Sequence, residues 1–211
     1  ILGLCFMTTI SVAIADDCHP SINANEHNFI VGYGSLMNSA SRQLTGQTST
    51  AIPTIVTGFK RYWGKIDSSY TISPLVVDKG EGLVNGVLLQ VDDAELAEFD
   101  IRERGYHRVL IPALQIDCDH ELEKDAQVWV YIKDSPEPPC HLSPIVQTYV
   151  DTVLAGCLEV SEQFAKQFVE HTFGWHFPLE NDRHAPKYGN LAGVTPEHHE
   201  QIDALLSSAR A

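Results

Sequence analysis

The chain has 211 residues, of which 44% are hydrophobic, and its 28 acidic against 14 basic residues give a formal net charge of −14. This length and composition suffice to bury one sizeable core, so a single domain is expected. The acidic excess disfavours a nucleic-acid partner, because it would repel a polyphosphate backbone.

Residues 1–15 form an apolar segment without a charged side chain, and this segment ends in Ala13-Ile14-Ala15. An apolar run that ends in small residues is typical of a secretory signal peptide, and 15 residues are too few to span a membrane. We therefore interpret 1–15 as a truncated signal peptide and predict an exported protein, periplasmic or secreted. A short buried helix is the alternative.

Four cysteines follow this segment, namely Cys18, Cys118, Cys140 and Cys157. An even number of cysteines in an oxidising compartment predicts two disulfide bridges, of any of three connectivities. Four separate thiols are the alternative. None of them forms a Cys-x-x-Cys pair, so the spacing of redox motifs and zinc ribbons is missing.

An apolar run at 29–31 predicts a short buried strand that leads into the turn Gly32-Tyr33-Gly34-Ser35-Leu36. A dinucleotide-binding fingerprint would need a glycine at Met37, and a nucleophile elbow would need glycines at both Tyr33 and Met37. The turn therefore fits neither motif. Its backbone N–H groups can instead point at a carboxylate or an oxyanion.

Further strands are predicted at 52–63, 83–91, 106–116 and 127–132, and Gly58 is expected to bend the first of these. Helices are predicted at 38–43, 145–154, 161–173 and 196–209. Asp92 and Glu95 form a capping box for one more helix, which Gly105 stops. Because most strands precede most helices, we predict an α+β fold, a small mixed β-barrel with helices packed outside.

The order of these motifs is similar to that of a known family. The turn Tyr33-Gly34-Ser35-Leu36 follows an apolar strand, and a Leu-x-x-Phe-Asp-x-x-Glu stretch comes later, formed by Leu96, Phe99, Asp100 and Glu103 and followed by Tyr106. This order resembles the γ-glutamylcyclotransferase-like superfamily. Two later stretches, 128–131 and 144–156 with Tyr149 and Gly156, resemble its late barrel strand and the helix that follows.

The resemblance implies a γ-glutamylcyclotransferase, which cyclises the γ-glutamyl group of a small peptide or amine to 5-oxoproline and releases the amine. Glu103 is the implied general acid and base. The implied substrate-binding residues are Tyr33, Gly34, Ser35, Leu36 and Tyr106. No metal or organic cofactor is required, because the nucleophile and the electrophile belong to one small molecule.

Two alternatives stay open. One is a non-catalytic module of the same fold that binds γ-glutamyl or amino-acid ligands, and the other is a serine hydrolase that uses Ser35. Neither the leaving amine nor the oligomeric state is encoded in these motifs.

The predicted organisation is a truncated signal peptide at 1–15, a lead-in at 16–28, the γ-glutamylcyclotransferase-like domain at 29–173 and a C-terminal extension at 174–211 packed on the domain. Within the extension, Arg183 could meet a substrate carboxylate as part of a lid. The alternative is a loop that Trp175, Phe177 and Tyr188 pin to the barrel. The spacing of the ten histidines matches no metal motif.

Overall fold

The structure is a computed structural model that describes residues 20, 27–47 and 49–211. The predicted signal peptide, most of the lead-in and Cys18 lie outside these ranges. Within the ranges, no helix is both long and apolar enough to cross a membrane.

The described residues form nine strands. They are β1 (Asn28–Gly32), β2 (Ala51–Trp63), β3 (Leu75–Val91), β4 (His107–Leu110), β5 (Ile116–Asp117), β6 (Gln127–Ile132), β7 (Ile145–Val146), β8 (Thr172–Phe173) and β9 (Leu179–Glu180). The main sheet has the order β4-β6-β1-β3-β2-β5, with β8 beside β2, while β7 and β9 pair separately. The β1–β6 and β2–β8 pairs are parallel and the other pairs in the main sheet are antiparallel, so the sheet is mixed.

Five α-helices accompany the strands in the described part of the chain. They are α1 (Ser39–Leu44), α2 (Asp93–Arg102), α3 (Gln147–Val160), α4 (Glu162–Glu170) and α5 (Pro196–Ala209). The sheet curls into a half-barrel, and the helices pack against it. The predicted α+β class, with a mixed barrel-like sheet and helices outside, is therefore confirmed.

One hydrophobic core joins the sheet to the three C-terminal helices. The first eleven residues of α3 are all buried. Phe168 of α4 and Ile202 and Leu206 of α5 belong to the same buried cluster as the strands. Trp175, which follows β8, is also part of this cluster. Side chains that follow residue 173 therefore help to fill the core.

Two strands differ from their predicted extents, and each difference has a local cause. The glycine-containing stretch before residue 83 has the composition of a turn, yet β3 begins at Leu75 because it pairs with β2 as far as Trp63. The predicted strand at 106–116 is divided into β4 and β5 around Pro112, which lacks a backbone N–H and precedes a short 3₁₀ turn. The bend expected at Gly58 is confirmed as a bulge in the ladder, where this residue has a φ of 85°.

Cys118, Cys140 and Cys157 are all free thiols. Two bridges would use all four cysteines, and Cys18 can take part in only one of them. The other bridge would therefore have to join two of these three. The prediction of two disulfide bridges is therefore wrong for this structure. The buried position of Cys157 inside α3 is typical of a small apolar core residue.

Candidate active site

A cavity of about 210 Å³ opens where β1 ends, beside the end of α2 and the start of α3. The six residues that the sequence analysis assigned to the site all line this cavity, namely Tyr33, Gly34, Ser35, Leu36, Glu103 and Tyr106. Almost 70 residues of sequence separate the turn from Glu103. The fold therefore brings together the two motifs on which the hypothesis of a shared site depends.

The segment that follows the turn after β1 is fixed by two side chains, Asn38 just before α1 and Arg42 within it. A single 3₁₀ turn, Ser35–Met37, leads to Asn38, whose side chain caps α1 by accepting a hydrogen bond from the Ser41 N–H (3.0 Å). The guanidinium of Arg42 donates to the carbonyl oxygens of Leu36 (2.6 Å) and Met37 (2.9 Å). These bonds fix the carbonyl end of the turn, so the N–H groups at its beginning have a defined direction.

Helix α3 presses against the same turn from the other side. A Cβ atom on Gly34 would lie 2.7 Å from the Tyr149 hydroxyl, and one on Gly156 would lie 2.4 Å from backbone atoms of Met37 and Asn38. The Asn38 amide also donates to the Thr152 carbonyl oxygen at 3.1 Å. Both positions therefore require glycine because neighbouring atoms leave no room for a Cβ atom, and not because of their backbone dihedral angles.

Glu103 is the residue that directly follows α2 and caps its C-terminal end. The predicted capping box begins this helix, because the Asp92 side chain accepts from the Glu95 N–H and the Glu95 side chain accepts from the Asp92 N–H, both at 2.8 Å. At the other end, the Glu103 N–H donates to the Phe99 carbonyl oxygen, and Gly105 with a φ of 95° turns the chain into β4. The helix thus delivers the carboxyl group of Glu103 to the cavity wall.

The Glu103 carboxyl group has no hydrogen bond or ion pair with any residue in the described ranges. Burial raises its pKa, and the nearby guanidinium of Arg102 offsets only part of this increase. Arg102 lines the cavity and lies over the Phe99 ring, 4.8 Å from its centroid, and both Arg102 and Arg104 are exposed to solvent. Burial therefore outweighs the favourable charge of Arg102.

Tyrosine side chains form much of the remaining wall. Tyr33, Tyr70, Tyr106, Tyr131 and Tyr149 all line the cavity. The Tyr33 hydroxyl donates to the backbone oxygen of Tyr131 at 2.6 Å, so its side chain is part of the scaffold while its backbone belongs to the turn. Burial is the main cause that raises the pKa of each of these five groups, which therefore remain neutral phenols.

Several lining residues were not assigned to the site from the sequence. Tyr131 and Tyr149 belonged to the family resemblance, but only as parts of a strand and a helix. That resemblance was the signal that could have identified them. Tyr70 and Leu75 lie in or next to the segment between β2 and β3, where the sequence predicted no element. Only the tertiary fold places them beside Glu103.

Arg183 does not line the cavity. Its guanidinium binds Asp151 of α3 through two hydrogen bonds of 2.8 Å, and it also binds Asp203 of α5. The lid hypothesis for this residue is therefore wrong. The other interpretation, a loop pinned to the barrel, agrees with the ring contacts of Trp175 on Trp63 (5.1 Å between centroids) and of Tyr188 on Tyr149 (4.9 Å).

Among the described residues that line the cavity with Ser35, none would make it a nucleophile. The described residues around the cavity include no histidine, the usual base for a catalytic serine. Likewise, no three His, Cys, Asp or Glu side chains in the described part of the chain are grouped to hold a metal ion. Of the residues that the structure describes, the ionisable ones lining the cavity are Glu103, Arg102 and the tyrosines.

Comparison with known proteins adds a family to this geometry. Residues 30–149, more than half of the chain, match a family model described as gamma-glutamyl cyclotransferase, AIG2-like. The matched range contains the turn, Glu103 and Tyr149. A search of the curated protein sequences found no match.

Solved structures share the fold at low sequence identity. One described as gamma-glutamyl cyclotransferase has a TM-score of 0.53 and 15% identity, covering 85% of this chain and 99% of its own. The human uncharacterized protein loc79017 has a TM-score of 0.54, again with 15% identity and the same coverage. YkqA from Bacillus subtilis has a TM-score of 0.52 and 18% identity, covering 69% of this chain and 54% of its own. At these identities the likeness concerns the fold alone.

Proposed function

The chain belongs to the gamma-glutamyl cyclotransferase, AIG2-like family, and we propose that it is a γ-glutamylcyclotransferase that uses Glu103 as its general acid and base. The substrate is a small peptide or amine that carries a γ-glutamyl group. The products are 5-oxoproline and the free amine.

The observation that carries this proposal is the position of the Glu103 carboxyl group. It lies on the wall of a small cavity, with no partner in the described part of the chain, and the turn Gly34-Ser35-Leu36 faces the same space. A carboxyl group that serves the fold usually has a hydrogen bond or an ion pair when it is removed from water. An unpaired one at a cavity wall is available to exchange protons with a ligand.

The reaction needs two proton movements and one acyl transfer. Glu103, as the carboxylate, accepts a proton from the α-ammonium group, and the resulting amine attacks the γ-carbonyl carbon to form the five-membered ring. The protonated Glu103 then gives its proton to the leaving nitrogen as the γ C–N bond breaks. The second proton of the attacking nitrogen is lost as the lactam forms, and it balances the protonation of the released amine.

The remaining groups favour this chemistry through position and charge. The backbone N–H groups of the turn are suited to the α-carboxylate or to the oxyanion that develops on the γ-carbonyl oxygen. The tyrosines stay neutral, so they orient the ligand without taking its proton. Because burial raises the pKa of Glu103, it is a stronger base than an exposed glutamate once it is ionised.

The direct test is to incubate the protein with glutathione, γ-glutamyl-alanine and γ-glutamyl-lysine and to measure 5-oxoproline and the released amine. We expect equal amounts of both products from at least one substrate. Absence of 5-oxoproline from all three would contradict the proposal. If the same ligands raised the melting temperature without turnover, the non-catalytic binding module would be favoured instead.

A further inference from the structure

Behind the cavity wall, Tyr131 is joined to an acidic side chain on α2. The Tyr131 hydroxyl donates to Oδ1 of Asp100 at 2.6 Å, the usual length of a charge-assisted hydrogen bond between a hydroxyl group and a carboxylate. Tyr131 is buried on β6 and lines the cavity, and Asp100 lies three residues before Glu103. The pair therefore connects the cavity to the helix that carries the proposed base.

The carboxylate of Asp100 is itself held in place. Arg108 on β4 donates from Nε to Oδ1 (2.8 Å) and from Nη2 to Oδ2 (3.1 Å). Its guanidinium also lies 4.4 Å from the centre of the Trp129 ring. A bidentate, stacked arginine fixes the plane of a carboxylate, so the direction of the Tyr131 O–H bond is fixed as well.

This geometry determines what Tyr131 offers to a ligand. Its hydroxyl proton points to Asp100, so towards the cavity the oxygen is a hydrogen-bond acceptor and not a donor. Donation to a carboxylate makes a phenol oxygen a better acceptor, since the two hydrogen bonds polarise each other. An acceptor near Glu103 is suited to a cation with several N–H donors, and a carboxylate or carbonyl group would gain nothing there.

We propose that Tyr131 contacts the α-ammonium group of the ligand through its hydroxyl oxygen, and that Asp100 is the positioning residue that keeps this oxygen an acceptor. The inference rests on the proposed function, since it assumes a ligand with a γ-glutamyl group. It adds that selectivity for the amino group is shared between Glu103 and the Asp100–Tyr131 pair.

The test compares two probes that differ only in the amino group, L-glutamate and glutarate, neither of which has a leaving amine. Their dissociation constants are measured by NMR titration with the unmodified protein and with Tyr131→Phe. We expect the unmodified protein to prefer L-glutamate. Tyr131→Phe should weaken L-glutamate binding about ten-fold, which corresponds to the loss of one hydrogen bond to a charged group. Its glutarate binding should stay within about two-fold of that of the unmodified protein. Equal changes for both probes, no change, or no preference by the unmodified protein would each overturn the proposal.

Two further variants separate ligand recognition from packing. Tyr62→Phe removes a hydroxyl from a partly buried tyrosine that packs on Phe173 away from the cavity, and it should change neither dissociation constant. Asp100→Asn keeps the shape of the side chain but lets its amide donate towards Tyr131, so L-glutamate binding should again fall about ten-fold, relative to glutarate. A loss with Asp100→Asn that is the same for both probes would show that Asp100 has only a structural role.

The result is independent of turnover. If the unmodified protein forms no 5-oxoproline but loses its preference for L-glutamate on Tyr131→Phe, the proposed reaction fails and the ammonium contact stands. If it forms 5-oxoproline and Tyr131→Phe changes neither the preference nor KM for the γ-glutamyl substrate, the reaction stands and the ammonium contact fails.

Discussion

Glu103 shows how an ordinary residue acquires an unusual environment. In the sequence it stands between two arginines near the end of a helix, which is typical of a surface ion-pair partner. In the structure Arg102 lies over the Phe99 ring and Arg104 is exposed, so neither forms an ion pair with it. The position of Glu103 at the helix end followed from the capping box and Gly105. The burial of Glu103 could not be predicted in this way, because the cavity wall opposite it is formed by segments that are distant in the sequence.

The raised pKa of Glu103 has a consequence for stability. Between the pKa of an unfolded glutamate, near 4.3, and the higher pKa in the fold, the native state binds more protons than the unfolded state. Stability contributed by this group is therefore present at low pH and is lost as the pH rises through the native pKa. Glu103→Gln removes this loss, because a neutral amide replaces the buried charge.

We expect Glu103→Gln to unfold at a higher temperature than the unmodified protein at pH 7, and the difference to shrink towards zero near pH 4. Thermal unfolding followed by circular dichroism at several pH values measures this. Glu98→Gln, on the exposed side of α2, is the matched control and should leave the melting temperature unchanged at every pH. The opposite result would be a Glu103→Gln protein that melts below the unmodified protein at pH 7 but not at pH 4. It would show that the Glu103 carboxylate has a stabilising partner.

At the level of elements, the contact between the turn and α3 decides the shape of the cavity. The strand, the turn and the helix were each predicted from local patterns, apart from their bounds. Their contact was not predicted, because it depends on missing side chains at Gly34 and Gly156, which meet residues more than 100 positions away. Local propensity alone would even favour alanine over glycine inside a helix.

Gly156→Ala tests this contact. The added Cβ atom would meet backbone atoms of Met37 and Asn38, which cannot rotate away, so helix and turn must separate. We expect a loss of about 1–3 kcal/mol in the free energy of unfolding and a fall of about 10²-fold in kcat/KM through misplacement of the turn.

Gly189→Ala is the control for that variant, since a Cβ atom there meets nothing within 4 Å. It should stay within about 0.5 kcal/mol of the unmodified protein. Urea unfolding and 5-oxoproline assays report both quantities, and a fully active, stable Gly156→Ala protein would contradict the proposed contact.

Across the whole molecule, the C-terminal extension is continuous with the core. Arg183 binds the buried carboxylate of Asp151, and Ile202 and Leu206 are buried among residues of the sheet and α3. The α+β class was predictable because strand and helix patterns occur in separate parts of the chain. The route of residues 174–193 was not predictable. Prolines and aromatic residues without helical or strand periodicity indicate a loop, but they do not show which residues the loop contacts.

Removing the positive charge of Arg183 should therefore affect the entire fold. We expect Arg183→Met to lower the free energy of unfolding by up to about 3–5 kcal/mol, because the buried carboxylate of Asp151 then keeps only the Gln147 amide (2.9 Å) and the His199 ring (3.6 Å) beside it. Lys187→Met, which breaks an exposed ion pair with Glu180, should cost about 0–1 kcal/mol. Urea unfolding measures both variants, and equal effects would contradict the structural importance of the buried pair.

The role of Glu103 is tested most directly by the rate of 5-oxoproline formation with Glu103→Gln, measured on the best γ-glutamyl substrate beside Glu98→Gln. Loss of a general base that also returns the proton should lower kcat by about 10² to 10⁴-fold, with the fold intact and Glu98→Gln fully active. A Glu103→Gln protein that forms 5-oxoproline at the unmodified rate would contradict the assignment of Glu103 as the proton carrier.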